Sequence, residues 1–463
     1  MLIASWGVTF LVIIGLGVWA GKAISKSNQW SGGDKTLGLV AVGCVFGAWQ
    51  IGGISIVGAA QNGYNFGIAA MWYSVGSSFY FFVCALLAKA IRENMPGDSA
   101  AVFLEKRFNK NLSRLYSIVW LIMVFFYIPV QMKTVSSIIQ IVLPDVNMLA
   151  CYFLALCIAT FYTSFSGMKG SAVVGKIVSF GIYFLLCVFV WVSLDKFGGY
   201  GQLVANLPEG YGNIFAGSMT PSYVLSMVIG GILSSSVMQS VLQPILAAKD
   251  YKAARYGSFI GYIFSAPICI ITGIMGMMAA KQSNFSLGNG ATAYAWIVRE
   301  MSGPLLAGVI FAVSTMIIAA TMATMMMAAG TVLKSVWGDM INPRATDSQL
   351  LSVSRWGTLI FSFSCLIPAI MLPSASLTTM FLTLLYSATC PFSFAIIFGL
   401  LWKKVTAAAA LWSSVLGVLT AVIWVVTDLN STVCSVVYPT IAIAYLVGVG
   451  LTMTANTATG ANS

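Results

Sequence analysis

About thirteen apolar stretches, most of them near 20 residues long, follow one another along this 463-residue chain. A run of that length crosses the hydrocarbon core of a bilayer as a helix. Inside hydrocarbon a backbone must also satisfy its own polar groups, so helices are the economical solution. Charged residues make up only 8% of the chain, against roughly 25% in a soluble domain, which leaves too little polar surface to wrap a water-soluble fold. An all-α polytopic membrane protein is expected. Length and flanking charge place the spans at about 2–21, 37–60, 68–91, 115–143, 147–166, 171–194, 223–247, 256–280, 303–333, 356–373, 377–402, 405–427 and 432–453. The first run has no basic residue before it and no small-residue cleavage site after it, so it reads as a retained helix.

With the N-terminus outside, eighteen of the 23 Lys and Arg residues fall in loops on one side, and only Lys196, Lys281 and Arg299 on the other. The positive-inside rule then sets an outside N-terminus and a cytoplasmic C-terminus, in the cell (inner) membrane. The net charge of +11 is a loop effect and calls for no nucleic-acid partner. The nine cysteines are scattered, mostly within apolar runs, and histidine is absent. No disulfide framework or transition-metal site is indicated, and no phosphate-binding loop points to ATP. Without histidine or a visible nucleophile–base pair the chain does not read as an enzyme. Two basic residues remain, Lys133 and Lys176, and they are the only formal charges at membrane depth. Such residues are costly in hydrocarbon and mark pathways or sites.

Two spans carry interruptions at matching places. The second reads Phe46-Gly-Ala-Trp-Gln-Ile-Gly-Gly-Ile-Ser55, the seventh Ile229-Gly-Gly-Ile-Leu-Ser-Ser-Ser236. Glycine weakens a helix, and serine can satisfy the backbone groups a break sets free. Each interruption opens a block of five spans. Broken helices at corresponding positions of two halves are the mark of an inverted-repeat transporter with a site near the midplane. Close helix packing through small residues is the other use of such glycines.

In these residues and their order the chain resembles the sodium/solute symporter family. Gly58-Ala-Ala-Gln-Asn-Gly63-Tyr64, then Met71-Trp72-Tyr73-Ser-Val-Gly76, are similar to elements of its first and second core helices. Phe103-Leu-Glu-Lys-Arg-Phe108, Tyr162-Thr163 with Ser166-Gly167, and Ala328-Ala-Gly-Thr-Val-Leu333 resemble later motifs, and the likeness runs to about residue 404. The resemblance implies a LeuT-like core of five plus five helices with the first and sixth broken. The expected divisions are an extra helix and loop at 1–36, repeats at 37–194 and 223–404, an outer connection at 195–222, and two peripheral helices with a short tail at 405–463.

It further implies a sodium site built from the carbonyls of Ala48 and Ile51 and, on the eighth core helix, a carbonyl and two hydroxyls. Alignment from Ala328 puts that last set on Ile317, Ala320 and Thr321, or three residues on at Ala320, Ala323 and Thr324. In both registers alanine replaces the first hydroxyl. The family's Thr-Asp at the start of the fifth core helix corresponds to Val174-Gly175 or Gly175-Lys176, so the aspartate is missing. Lys176 is read in two ways, as a built-in cation replacing sodium or as a lysine snorkelling to the cytoplasm. Lys133, about 15 Å below the outer end of its helix, is beyond snorkelling reach. It is expected to pair a solute carboxylate, the alternative being a lysine held by carbonyls of the broken helices. Gln50, Gly52, Ser55, Gln131, Ser234 and Ser235 complete the expected solute site.

The expected activity is secondary transport of a small, carboxylate-bearing organic solute by alternating access. Ordinary sodium symport of a neutral or zwitterionic solute is the alternative, with Na+ as coupling ion and no other cofactor. A membrane-embedded solute sensor is disfavoured because the chain stops soon after its last span, and a channel because no ring of charges or filter repeat is present. The lipid bilayer and the solute are the expected partners, with no soluble protein implied.

Overall fold

A computed structural model describes residues 1–21, 35–95, 99–371 and 377–460, and the described residues are almost entirely helical. Lys22 and Lys26, and the side chains of Tyr162 and Ser166, lie outside this description. Helix α1 (Leu2–Gly21) precedes the core. The first core span consists of α2 (Leu39–Gln50), a π-helical turn at Ile54–Gly58 and α3 (Ala59–Phe66). The second is α4 (Trp72–Ser77) with α5 (Tyr80–Asn94), after which the short α6 (Ala100–Arg107) leads into the third, α7 (Lys110–Val142). Next come α8 (Met148–Asp195) and the short α9 (Gly199–Ala205).

The second half opens with α10 (Pro221–Gly230), a π-helical turn Gly231–Ser235 and α11 (Gln239–Ala247), bent by 53° at the break. Then follow α12 (Tyr251–Ser265), α13 (Ile268–Ser283), the loop helix α14 (Ala293–Met301), α15 (Pro304–Val336), α16 (Asp347–Ser364) and α17 (Leu366–Met371). Helix α18 (Leu377–Thr389) continues through 3-10 and π turns to Leu401. Helices α19 (Ala407–Val426) and α20 (Val437–Gly460) close the chain. The fold is the expected all-helical one, with both anticipated breaks in place.

Helix ends are satisfied locally. Asn109, Asn147, Thr220, Asp250, Thr346 and Thr406 each cap a helix by accepting a backbone N–H from the first turn, and Thr346 pairs with Gln349 in a capping box. Two arginines serve the opposite ends. Arg92 donates to the carbonyls of Ile245 and Ala248 at the end of α11, and Arg107 to those of Gly399 and Lys403. Helix α15 is central, with 83% of its most apolar stretch buried, whereas α19 and α20 bury 33% and 28% and form the periphery.

One expectation differs. The sequence separates the fourth and fifth spans by a loop around 167–170, but helical backbone runs unbroken from Met148 to Asp195. Both parts of α8 nevertheless pack on α15, Thr163 beside Met326 and Gly181 beside Val313. Nothing in the sequence between them is a strong helix terminator, since glycine only weakens a helix where proline would stop it.

The first core span is held along its length by α12 and α13 through backbone-close contacts. A Cβ on Gly257 would fall 2.7 Å from the Val42 side chain, and one on Gly276 would fall 2.0 Å from the Ala60 carbonyl oxygen. A methyl at the second position forces backbone apart. Gly276→Ala is therefore expected to destabilise the protein by about 1–3 kcal/mol. Gly450→Ala, where nothing lies within 4 Å, should leave the melting temperature in detergent unchanged or slightly raised.

Candidate functional site

At the first break α2 stops at Gln50, and Ile51 turns out of the helix with φ −84° and ψ 66°. A break at membrane depth needs partners for the groups it frees, and side chains supply them here. The Ser55 hydroxyl donates to the Gln50 carbonyl at 2.6 Å, and Thr272 of α13 donates to the Ser55 carbonyl at 2.8 Å. The Gly53 amide donates to Gln131 Oε1 at 2.9 Å, while Gln131 Nε2 donates to the Tyr127 hydroxyl at 2.9 Å. Gly53 has to be glycine, because a Cβ there would lie 1.8 Å from Thr134 Oγ1. Gln131 is 1% exposed, so its amide is committed to this arrangement.

The second core helix joins the two breaks. Gln50 Nε2 donates to Ser77 Oγ at 3.0 Å, and Tyr80 donates to Gln50 Oε1 at 3.2 Å. The Ser77 carbonyl oxygen lies where a Cβ on Gly231 would come within 2.5 Å, so the π turn of the second break rests directly on it. Ser234 hydrogen-bonds Thr389 of α18, and Ser235 is buried beside it. Gln50, Gly52, Ser55, Gln131, Ser234 and Ser235 are thus all at or against the two breaks. Ser77, Tyr80, Tyr127, Thr272 and Thr389 join them, although the sequence does not mark them out. A hydroxyl in an apolar helix usually bonds its own turn, which hides its second use from a sequence reading.

Lys133 follows Gln131 by two residues on α7. Gln131 and Thr134 turn toward Gly53, and at about 100° per residue Lys133 stands roughly 200° round the helix from the first and 100° from the second. Its side chain is half-buried. Gln131, not Lys133, is the α7 group bonded to the Gly53 amide.

The ion-site candidates separate by register. Thr321 Oγ1 lies 2.7 Å from the Ala48 carbonyl and 3.1 Å from that of Ile317, and donates toward both. A Cβ on Gly52 would sit 3.0 Å from the same hydroxyl. Thr321 therefore faces the first break beside Ala48, with the Ile317 carbonyl one turn below it. Thr324 instead donates to the Ala320 carbonyl of its own helix at 2.8 Å. Opposite, Gly175 packs on α2, with a Cβ placed 3.2 Å from the Cys44 carbonyl and 3.7 Å from Ala48 Cβ, and Ser179 donates to the Cys44 carbonyl at 3.3 Å. Lys176 is the next residue round and is exposed. None of the bonds that gather Ala48, Ile317 and Thr321 involves it.

Both mouths of the first and sixth core spans are fastened. On one side the Tyr211 hydroxyl donates to the Tyr64 carbonyl at 2.7 Å, and Gln61 and Asn65 donate to the Asn289 carbonyl. On the other, Gln239 Oε1 accepts from the Ala100 amide at 2.8 Å, Tyr116 donates to the Val237 carbonyl, and Leu37 bridges to Ala247 and Lys249.

Comparison with known proteins matches residues 31–417 to the family described as "Sodium:solute symporter family". The chain is 24% identical over 446 residues to a sodium/glucose cotransporter of Vibrio parahaemolyticus, covering 86% of this chain and 80% of that protein. It is 21% identical over 467 residues to the osmoregulated proline transporter OpuE of Bacillus subtilis (strain 168), covering 98% and 94%. Among solved structures, a substrate-bound, outward-open Na+-coupled sialic acid symporter superposes with a TM-score of 0.78 at 13% identity, over 98% of each chain. The nucleobase-cation-symport-1 family transporter Mhp1, in a closed conformation, gives 0.63 at 13% identity, over 92% of this chain and 95% of its own. At that identity the structural likeness speaks for the fold alone.

Thr321 ties two separate helices, whereas Thr324 bonds only within its own. Thr321→Val is expected to cost about 1 kcal/mol of stability. Thr324→Val should cost distinctly less, and the two melting curves in detergent make the comparison.

Proposed function

The chain belongs to the sodium:solute symporter family, and from that premise we propose that it moves a small, carboxylate-bearing organic solute by alternating access, with a weakened sodium site. The observation that carries transport at this place is the meeting of both helix breaks at Ser77, with the buried amides of Gln50 and Gln131 beside them. Half-helices ending at mid-depth present backbone groups to a solute without exposing them to lipid.

Two features support a carboxylate. The Gly53 amide, at the start of the outer half-helix, already takes an oxygen acceptor in Gln131, and the start of a helix favours negative charge. Lys133 on the same α7 supplies positive charge at depth. The neutral or zwitterionic alternative rests on the lining itself, since Gln50, Ser77, Tyr80 and Gln131 carry no formal charge. Glucose and proline, the solutes in the relatives' names, fit that reading.

The weakened sodium site rests on three departures in one place. In the register that sets Thr321 beside Ala48, Ala320 stands where the family has a hydroxyl; Gly175 or Lys176 stands where it has an aspartate, and a lysine, Lys176, arrives at or beside that place. Lys176, exposed on the flank of α8, fits the snorkelling role better than that of a replacement cation. The outside N-terminus, the inner-membrane location and the repeat boundaries 37–194 and 223–404 belong to the same proposal, supported by the loop charges and the paired breaks.

Uptake of labelled carboxylates and neutral solutes into proteoliposomes tests the reading. Carboxylate flux should persist in sodium-free buffer, and Ala320→Ser should make it rise with sodium. Loss of all flux without sodium restores ordinary symport. Lys133→Ala should weaken apparent carboxylate affinity by about 1.5–3 kcal/mol, roughly 10- to 150-fold, as expected for a lost charged hydrogen bond. Unchanged affinity for every carboxylate removes the lysine from the site and favours a neutral solute.

A further inference from the structure

A cleft of about 330 Å³ lies at the basic rim, the side that carries Lys89, Arg92, Lys106, Arg107 and Lys403, between the end of α5, the short α6 and the last turn of the tenth core span (α18 through Leu401). Its lining includes Asn94, Phe103, Lys106, Arg107, Leu401 and Lys403, and no lining residue is acidic. The neighbouring carboxylates on α5 and α6 are engaged elsewhere, Glu93 with Lys89 and Glu105 with Lys110, each at 3.9 Å. Three cations therefore share one concavity with no acidic side chain among its lining residues.

The positions of those cations differ in kind. Arg107 is fixed: its Nε and Nη2 donate to the carbonyls of Gly399, Trp402, Lys403 and Val405, and its Nη1 takes no part in those bonds. Lys106 and Lys403 are exposed and can close on a ligand from either side. Phe103 is buried beneath them, and Leu401, 60% exposed, presents apolar surface at the cleft's edge. Positive charge at the mouth with apolar surface beside it matches a molecule that is anionic at its head and hydrocarbon behind.

We propose that this cleft seats the phosphate of an anionic phospholipid headgroup, with the acyl chains running down past Leu401. The Nη1 of a fixed guanidinium and two flexible ammonium groups are suited to a phosphodiester, the first as one oriented charged donor and the others by charge. A lipid bound there would touch α6, whose first amide is bonded to Gln239 at the start of α11, and so reach the sixth core span.

The test uses the purified full-length protein and native mass spectrometry of lipid retained from mixed phosphatidylglycerol and phosphatidylcholine. Phosphatidylglycerol should be retained in preference. The Lys106→Gln/Lys403→Gln variant should bind it about 30-fold more weakly, two lysines' worth of attraction to an anionic lipid. Its melting temperature in phosphatidylcholine should match the unmodified protein, which separates lost binding from lost folding. Lys249→Gln/Lys252→Gln, on the same rim outside the cleft, should leave retention unchanged. An equal loss in that control would assign the effect to diffuse rim charge and overturn the site. Displacement of the lipid by millimolar inorganic phosphate would make this a free-anion site and overturn the lipid assignment, and absence of any phosphatidylglycerol preference would remove it.

Discussion

Hydrocarbon offers no hydrogen bonds, so a helix that stops halfway through a membrane must bring substitutes for water with it. Most of what is distinctive in this chain follows from that requirement at residues 50–55. The Gln50 carbonyl takes the Ser55 hydroxyl, the Gly53 amide takes Gln131, the Ser55 carbonyl takes Thr272, and the Ala48 carbonyl takes Thr321. Those donors and acceptors come from α7, α13 and α15 as well as from the span itself. The break is therefore a property of the packed bundle. Its neighbours must stand close enough for short side chains to reach, which accounts for glycine and alanine along the facing helices.

The interrupted helices were legible in the sequence because glycine pairs followed by serine stand at matched positions of two halves, a coincidence that helix packing alone does not require. Gln131 stands out in the sequence as a polar residue two places from Lys133 in an apolar run. The register of the eighth core helix does not. Thr321 and Thr324 are three residues apart among small side chains, and only the neighbour across the seam distinguishes them. Ser77 and Tyr80 were equally hidden, since a lone hydroxyl on an apolar helix looks like internal packing. The two lysines stand out by charge, but depth in a span does not fix the face of the helix. Lys176 is exposed, and Lys133 lies round the helix from the face that meets Gly53. The loop expected near residue 168 fails for a simpler reason: small residues permit a turn without requiring one.

Arginine does at the helix ends what serine and threonine do at mid-depth. Arg92 gathers carbonyls at the end of α11, and Arg107 gathers those that finish the tenth core span. Both are among the loop cations counted in the sequence, so some of those charges also finish helices. A charge count alone treats such residues as interchangeable with Lys89 or Lys252. Their hydrogen bonds show that they are not.

The seat of Ser77 has a kinematic consequence. Its hydroxyl holds the first broken span through Gln50, while its carbonyl is pressed against the second broken span at Gly231. Neither half can slide or twist past α4 without disturbing the other. The linkage couples the two interrupted spans through the second core helix, so a displacement of any one of the three is passed to the others. The fastenings around Tyr211 and Gln239 lie at the perimeter of that unit, and both are made in this structure.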